Sequence, residues 1–185
     1  MRMVNNAKFT IDMQDILKEM KGKTFKSIEC FKTTTDSVYG KCRLNLGTFA
    51  VDLYNYIHTM PFFGALEDIP FFTCERMDKK SIFKPCEQGR TAHVYMIDEK
   101  IIGVEIVNDL INVNHGEYEI SLDQALIIRT KYNVYSFYKS WMYSELINLS
   151  SDQENAFVYD LDKVKYDWSG RGADPIEVVR KTYIL

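Results

Sequence analysis

Nowhere does the sequence hold about 18 consecutive apolar residues, so no segment reads as a helix that crosses a membrane. Residues 1–9, with Asn5 and Asn6, also lack an apolar run long enough for a secretory leader, and the expectation is a cytoplasmic protein without membrane contact. Cysteine is scarce. Cys30, Cys42, Cys74 and Cys86 form no C-x-x-C pair, which argues against a zinc site or a disulfide framework and for four free, buried thiols. Histidine is scarcer: His58, His93 and His115 stand far apart, with no ligand spacing to each other or to a cysteine. His93 precedes an apolar strand, yet no Gly-x-Ser-x-Gly or Cys-Gly string offers a nucleophile beside it, so a structural histidine is expected.

An excess of either charge is missing as well. Lys plus Arg number 23 and Asp plus Glu 26, a net charge of −3, with a pI near 5.7. That balance lacks the basic footprint of a dedicated duplex-DNA binder and the acidity of a nucleic-acid mimic. Gly22-Lys23-Thr24 ends like a phosphate-binding loop, but the required glycine five residues before Lys23 is Lys18, and the predicted helix precedes the string instead of following it. A helix end running into a strand explains it better, and no cofactor is expected.

What is present is ordinary globular composition with a surplus of rings: 12 Tyr, 11 Phe and 2 Trp among 185 residues, of which 46% are hydrophobic and 26% charged. A chain of this length buries roughly 70% of its unfolded surface in one core, and aromatic side chains suit strands and interfaces. The expected fold is a single strand-rich α+β domain over residues 1–185, with an N-terminal helix, antiparallel hairpins in a meander, a short helix near the C-terminus and a final strand. A faint similarity of Ala50-Val51 to Ala125-Leu126, and of Glu67-Asp68-Ile69 to Glu145-Leu146-Ile147, raises two related halves, 22–76 and 93–150. It spans only a few residues and is weighed as coincidence.

Met13, Ile16, Leu17 and Met20 make one apolar stripe at helical spacing, with Thr10 as N-cap and Gly22 as the left-handed residue past an end at Lys21 or Gly22. From Lys23 the period falls to two. Residues 24–31 and 38–46 form a hairpin, and a register symmetric about Asp36 sets Cys30 opposite Cys42. Phe49, Val51 and Leu53 begin another strand; Pro61, Gly64 and Pro70 suggest a loop before a short aromatic strand at Phe71, Phe72 and Cys74. Residues 78–90 read as a mobile loop. Three hairpins follow, turning at Asp98-Glu99-Lys100, at Asn114-His115-Gly116 and between Thr130 and Val134. Residues 141–149 read as strand in preference to helix, 160–167 as a short helix capped by Asp160, 169–172 as a loop and 176–185 as the last strand.

Two groups of residues invite a function. Asp160, Asp162 and Asp167 cluster, as do Asp98, Glu99 and Lys100, but a predicted helix and a hairpin tip do not converge on a strand-end metal site, so no metal is expected. Arg129, Lys131, Tyr138, Lys139 and Trp141 form an aromatic and basic stretch on paired strands, a composition that serves protein hot spots or single-stranded nucleic-acid stacking, or else covers a core. The strings Gly22-Lys23-Thr24-Phe25, Arg43-Leu44-Asn45-Leu46-Gly47, Val104-Glu105-Ile106-Val107-Asn108-Asp109 and Ser144-Glu145-Leu146-Ile147 resemble small proteins carried on mobile elements of Gram-positive bacteria, of the host-defence-inhibitor, anti-CRISPR-like kind. The resemblance implies an inhibitor that binds a larger effector nuclease, with or without its RNA. The reading at this stage is a non-enzymatic binding protein using those five residues. A metal-dependent enzyme on nucleic acid using Asp160 or Asp162, and a subunit that assembles with copies of itself, stand as its rivals.

Overall fold

The computed structural model describes residues 3–32, 38–62, 65–84, 91–169 and 175–185. Its first helix, α1 (Ile11–Glu19), starts where the sequence places it: Thr10 Oγ1 accepts from Met13 N–H at 3.3 Å, and Asp12 and Lys18 complement the two ends of the helix dipole. The helix stops at Glu19, short of the expected end: Met20 is its C-cap, and the N–H groups of Met20 and Lys21 donate to Leu17 O and Lys18 O at 3.2 Å, tightening the last turn. Gly22 takes φ +83°, a conformation open to glycine, and its N–H donates to Ile101 O at 2.9 Å.

Before α1 lies β1 (Met3–Ala7), and after it β2 (Thr24–Lys32), β3 (Val38–Asn45), β4 (Phe49–Phe62), β5 (Ala65–Asp78), β6 (Thr91–Val113), β7 (Tyr118–Thr130), β8 (Val134–Tyr138) and β9 (Ile147–Asp152), then α2 (Leu161–Ser169) and β10 (Ile176–Ile184). The pairing order β7-β8-β9-β3-β2-β6 returns to β7, so six strands close into a ring. Closure between β3 and β9 rests on Val38↔Asn148 and Tyr39↔Ile147. β10 extends the ring from β6, while β4 and β5 extend it from β3, all antiparallel; β1 joins β7 in parallel and makes the sheet mixed. The architecture is strand-rich α+β, as expected, but a strand, β1, precedes the helix and pairs in parallel, where the sequence suggests a leading helix followed by antiparallel hairpins alone.

The ring encloses the main core, in which Phe25, Ile28, Leu44, Ile101, Leu126 and Phe137 meet beneath α1. A second core forms where the distal parts of the β4–β5 and β6–β7 hairpins meet β1 and α2, with Phe62, Ile111, Leu122 and Trp168 buried together. Val164 and Trp168, four residues apart on α2, supply that helix's buried face. Asp160 Oδ1 accepts from Asp162 N–H at 2.8 Å and caps α2, as the sequence suggests, although the helix runs on to Ser169.

The β2–β3 register does set Cys30 against Cys42. The turn at 114–116, the β7–β8 hairpin and the last strand also form where expected. Four expectations need correction. Pro61 and Pro70 do not open a loop: β4 and β5 make one 14-residue by 14-residue hairpin, with Pro70 on edge strand β5, where no further ladder needs its missing N–H. Residues 94–107 are not a hairpin but part of β6, 23 residues long. There Asp98 takes φ +58° and pairs with Lys26, and the β2 register shifts between Phe25 and Ser27, so a bulge absorbs the turn signal. Strand structure in 141–149 begins only at Ile147, the preceding residues being held by Ser144 Oγ accepting from Leu146 N–H at 3.2 Å. Of the loop expected over 78–90, Asp78 belongs to β5, residues 79–84 are irregular and residues 85–90 lie outside the described residues, as do the Thr33–Ser37 turn and most of 169–172.

Trp168 is 2% exposed and meets the Phe62 ring edge-on at 5.0 Å. Trp168→Ala should cost ~3–5 kcal/mol in denaturant unfolding; a loss within error would mean that the second core is not built around it. Cys30 Sγ and Cys42 Sγ stand 3.3 Å apart, and neither they nor Cys74 is joined in a disulfide. Alkylation of unreduced, denatured protein should add a label at each of these three and at Cys86, whereas two labels would reveal a bridge.

Candidate functional site

The five residues singled out in the sequence do not share a face. Arg129 is half-buried and ion-paired with Glu105, its Nη2 lying 3.4 Å from Oε2. Lys131 lies exposed over the Tyr132 ring at 4.9 Å, beyond the end of β7. Tyr138 is half-buried under Phe157, 4.7 Å between ring centres. Trp141 is 41% exposed against Tyr143. Lys131 and Trp141 flank opposite ends of β8, a span of roughly 17 Å for its five residues at about 3.3 Å each.

Lys139 departs furthest from expectation. β8 ends at Tyr138, so strand alternation no longer sets its direction; its N–H donates to Gln124 O at 3.0 Å and its side chain turns inward, with Nζ donating to Pro70 O. It is 0% exposed, and among the described residues no carboxylate pairs with it. Burial pushes its ammonium down to about 7. Lys139 is therefore a core residue and not part of a docking surface.

The backbone offers a different surface. Both the N–H and the carbonyl of Ile101 bond to the Gly22-Lys23 turn, so β2 holds one edge of β6; β7 pairs from Ile101 onward along the other. β7 stops at Thr130, whose hydroxyl donates to Glu99, while Asn133 Nδ2 donates to the second Glu99 oxygen at 2.7 Å. Beyond that clamp the Thr91–Lys100 half of β6 has β2 on one edge and, among the described residues, no strand on the other. Three successive residues there are exposed: Val94 by 58%, Tyr95 by 42% and Met96 by 77%.

Other open edges carry the usual guards against strand addition. β5 has Glu67, Asp68 and Pro70, β10 has Glu177, Arg180 and Lys181, and β1 has only five residues. The distal half of β4 contains Pro61 and is flanked by hydrogen bonds from Asn5 to Pro61 O and from Asn55 to Leu146 O. Residues 92–97, Ala-His-Val-Tyr-Met-Ile, contain neither proline nor Asp, Glu, Lys or Arg. Sequence reading assigned this segment to a hairpin; its absence of charge was the signal that could have marked it.

Tyr95 also closes the adjoining mouth of the ring, its hydroxyl 2.6 Å from that of Tyr39. Together with Ile28, Tyr135, Leu149 and Ser151 these tyrosines line a cavity of about 120 Å³. Burial raises the Tyr39 phenol, and pushes that of Tyr135 up to about 12, so both stay neutral. The mouth is thus an apolar, hydroxyl-tipped wall beside the open edge. Among the described residues no group of three or more His, Cys, Asp or Glu is placed to hold a metal ion, and Asp160 is engaged as a helix cap.

No protein-family model, curated protein or solved structure matches the chain.

Lys139 gives the core a pH signature. Its ammonium is depressed in the folded state, so between about 7 and its ordinary value the unfolded chain binds more protons and stability rises with pH. Cys74, pushed up to about 12 by burial, opposes that rise above its ordinary value near 9. Melting temperature should therefore climb from pH 7 to pH 9. Lys139→Met should flatten that rise and stabilise the protein at pH 7 by ~1–4 kcal/mol; an unchanged slope would show that Lys139 is not the group responsible.

Proposed function

We propose that this chain is a non-enzymatic binding protein that blocks a larger protein by offering residues 92–97 of β6 as an open strand edge, to which the partner adds a strand. The observation that carries this reading is a charge-free edge that no strand among the described residues pairs, with Val94, Tyr95 and Met96 exposed in succession. Natural sheets ordinarily protect such an edge, and a strand added to it gains main-chain hydrogen bonds while side-chain contacts set the specificity. Tyr95 and the tyrosine-lined mouth supply a rigid aromatic contact beside the ladder, the kind of anchor that dominates interface energies. Trp141 and Lys131, exposed at either end of β8, lie outside this edge. The partner class follows from the resemblance of the 22–25, 43–47, 104–109 and 144–147 strings: an effector nuclease of a host-defence system.

The test is a titration of such a nuclease, with and without its guide RNA, by this protein. Stoichiometric inhibition unaffected by chelator, with a co-eluting complex at micromolar concentration, is expected. Met96→Lys should weaken binding at least tenfold, about 1.4 kcal/mol, without lowering the melting temperature, because the side chain is 77% exposed. Loss of activity at substoichiometric protein would point to an enzyme. A doubled mass without any foreign partner, abolished by Met96→Lys, would assign the edge to a second copy of the chain.

A further inference from the structure

Asp123 is 2% exposed on β7, where the β6 register shifts between Val107 and Asn108. Its Oδ2 accepts from Phe9 N–H at 2.7 Å and its Oδ1 from Asn108 Nδ2 at 2.8 Å; Asn108 in turn accepts from Ser121 Oγ at 3.0 Å. These donors are all neutral, and among the described residues no cation forms an ion pair with the carboxylate. Burial raises it to about 6, with the Phe9 and Asn108 hydrogen bonds opposing and the charge of Lys8 acting least. At neutral pH it is a buried anion that no cation among the described residues touches, Lys8 acting on it only from the cavity rim, an arrangement that folded proteins ordinarily avoid.

The same carboxylate lines a cavity of about 450 Å³, the size of a small-molecule site, between α1, which contributes Gln14 and Lys18, and the end of β10 with Leu185 beyond it. Lys8 stands on its rim. Lys18 also lines it but is paired with Asp15 at 2.8 Å. Ile106, Tyr183 and Ile184 form an apolar wall. One buried anion, one cation without an ion-pair partner among the described residues, and an apolar wall thus meet in one space.

We infer that this cavity binds an apolar or aromatic α-amino acid, with its ammonium on Asp123, its carboxylate toward Lys8 and its side chain against Ile106, Tyr183 and Ile184. The ligand's ammonium supplies the counter-ion that the fold withholds from Asp123. Its carboxylate answers the rim lysine, so neither an amine nor an acid alone satisfies both ends. The site is separate from the open edge of β6, and its existence does not depend on the binding role proposed there.

The experiment is calorimetric titration and thermal shift of the intact protein with L-leucine and L-phenylalanine, beside phenylalanine methyl ester and 3-phenylpropionate. Saturable binding of at least one amino acid below about 10 mM is expected, with each one-ended analogue weaker by at least fivefold. Lys8→Gln, an exposed change, should weaken the amino acid at least fivefold, bring its affinity to that of the ester and leave the unliganded melting temperature unchanged. Asp123→Asn should abolish binding if the variant folds; if it does not, the ester, the acid and Lys8→Gln decide alone. No saturable binding of either amino acid by folded wild-type protein, or equal affinity for the amino acid and both analogues, would overturn the assignment.

Discussion

A strand of 23 residues cannot be matched along both edges by neighbours of 9 and 13, and most of this structure follows from how β6 shares its length. β2 takes the first part of one edge and β10 the rest of it; β7 takes the second part of the other. The change of partner happens at Ile101, just past the left-handed Asp98, where the Gly22-Lys23 turn stitches the end of α1 to the strand. That one crossing lets β6 pass from β2 to β7 and close the ring, with Ile101, Val104 and Ile106 in the main core, while Ile111 and Val113 near its end reach the second core beside β1 and α2. The open edge is the remainder of the same arithmetic. β7 ends at Thr130 because Glu99 clamps Thr130 and Asn133, and nothing described continues the ladder.

Buried charge follows a consistent pattern with two departures. On the outer face of β3 and β4, Arg43 holds Asp52 through two hydrogen bonds, of 2.6 and 3.0 Å, while Lys41 reaches the same carboxylate at 2.8 Å. Arg43 also donates to Ser81 O at 2.6 Å under the Phe83 ring, so this cluster fastens the irregular 79–84 segment to the sheet. Arg180 grips Asp109 in the same forked manner and donates to Tyr159 O, which ties β10 to the approach of α2. Forked arginine–carboxylate pairs satisfy both partners when they are desolvated. Lys139 and Asp123 have no such partner. The first sits against a carbonyl in a closed core and can only shed its proton; the second borders open space and can be answered from outside.

What the sequence made legible was local. Thr10, the stripe from Met13 to Met20 and Gly22 located the first helix, and alternation with a polar turn placed Cys30 opposite Cys42, because cap, stripe and hairpin register are set within a few residues. The misreadings share a cause, since each depends on a distant partner. Asp98-Glu99-Lys100 looks like a turn until β2 supplies the bulge that keeps β6 continuous. Pro61 and Pro70 look like breakers until Pro61 turns out to lie in the part of β4 that extends past β3 and Pro70 on β5, which pairs with β4 alone among the described residues. Lys139 looks like a surface cation by alternation, and nothing nearby says that β8 ends one residue earlier or that Pro70 O waits inside. Of the proposed sites, only the absence of charge from 92–97 was visible in the sequence; Asp123 acquires its meaning from Phe9, 114 residues away.

Met96 and Ile106, one at the open edge and one in the Asp123 cavity, are ten residues apart on β6, on the order of 30 Å along an extended strand. Changes that far apart, with no shared partner, ordinarily add. Coupling between them would need an element with two discrete arrangements, and the strand connecting them is a poor candidate. Between the two sites β6 is pinned by β2 through Ile101, by β7 across Val104↔Ile128, and by Leu185 N–H donating to Val104 O at 2.9 Å. A ligand beside Asp123 would have to break those bonds to shift Met96. The cavity and the edge therefore stand as independent features of one strand, and a ligand in the first would leave the second as it stands.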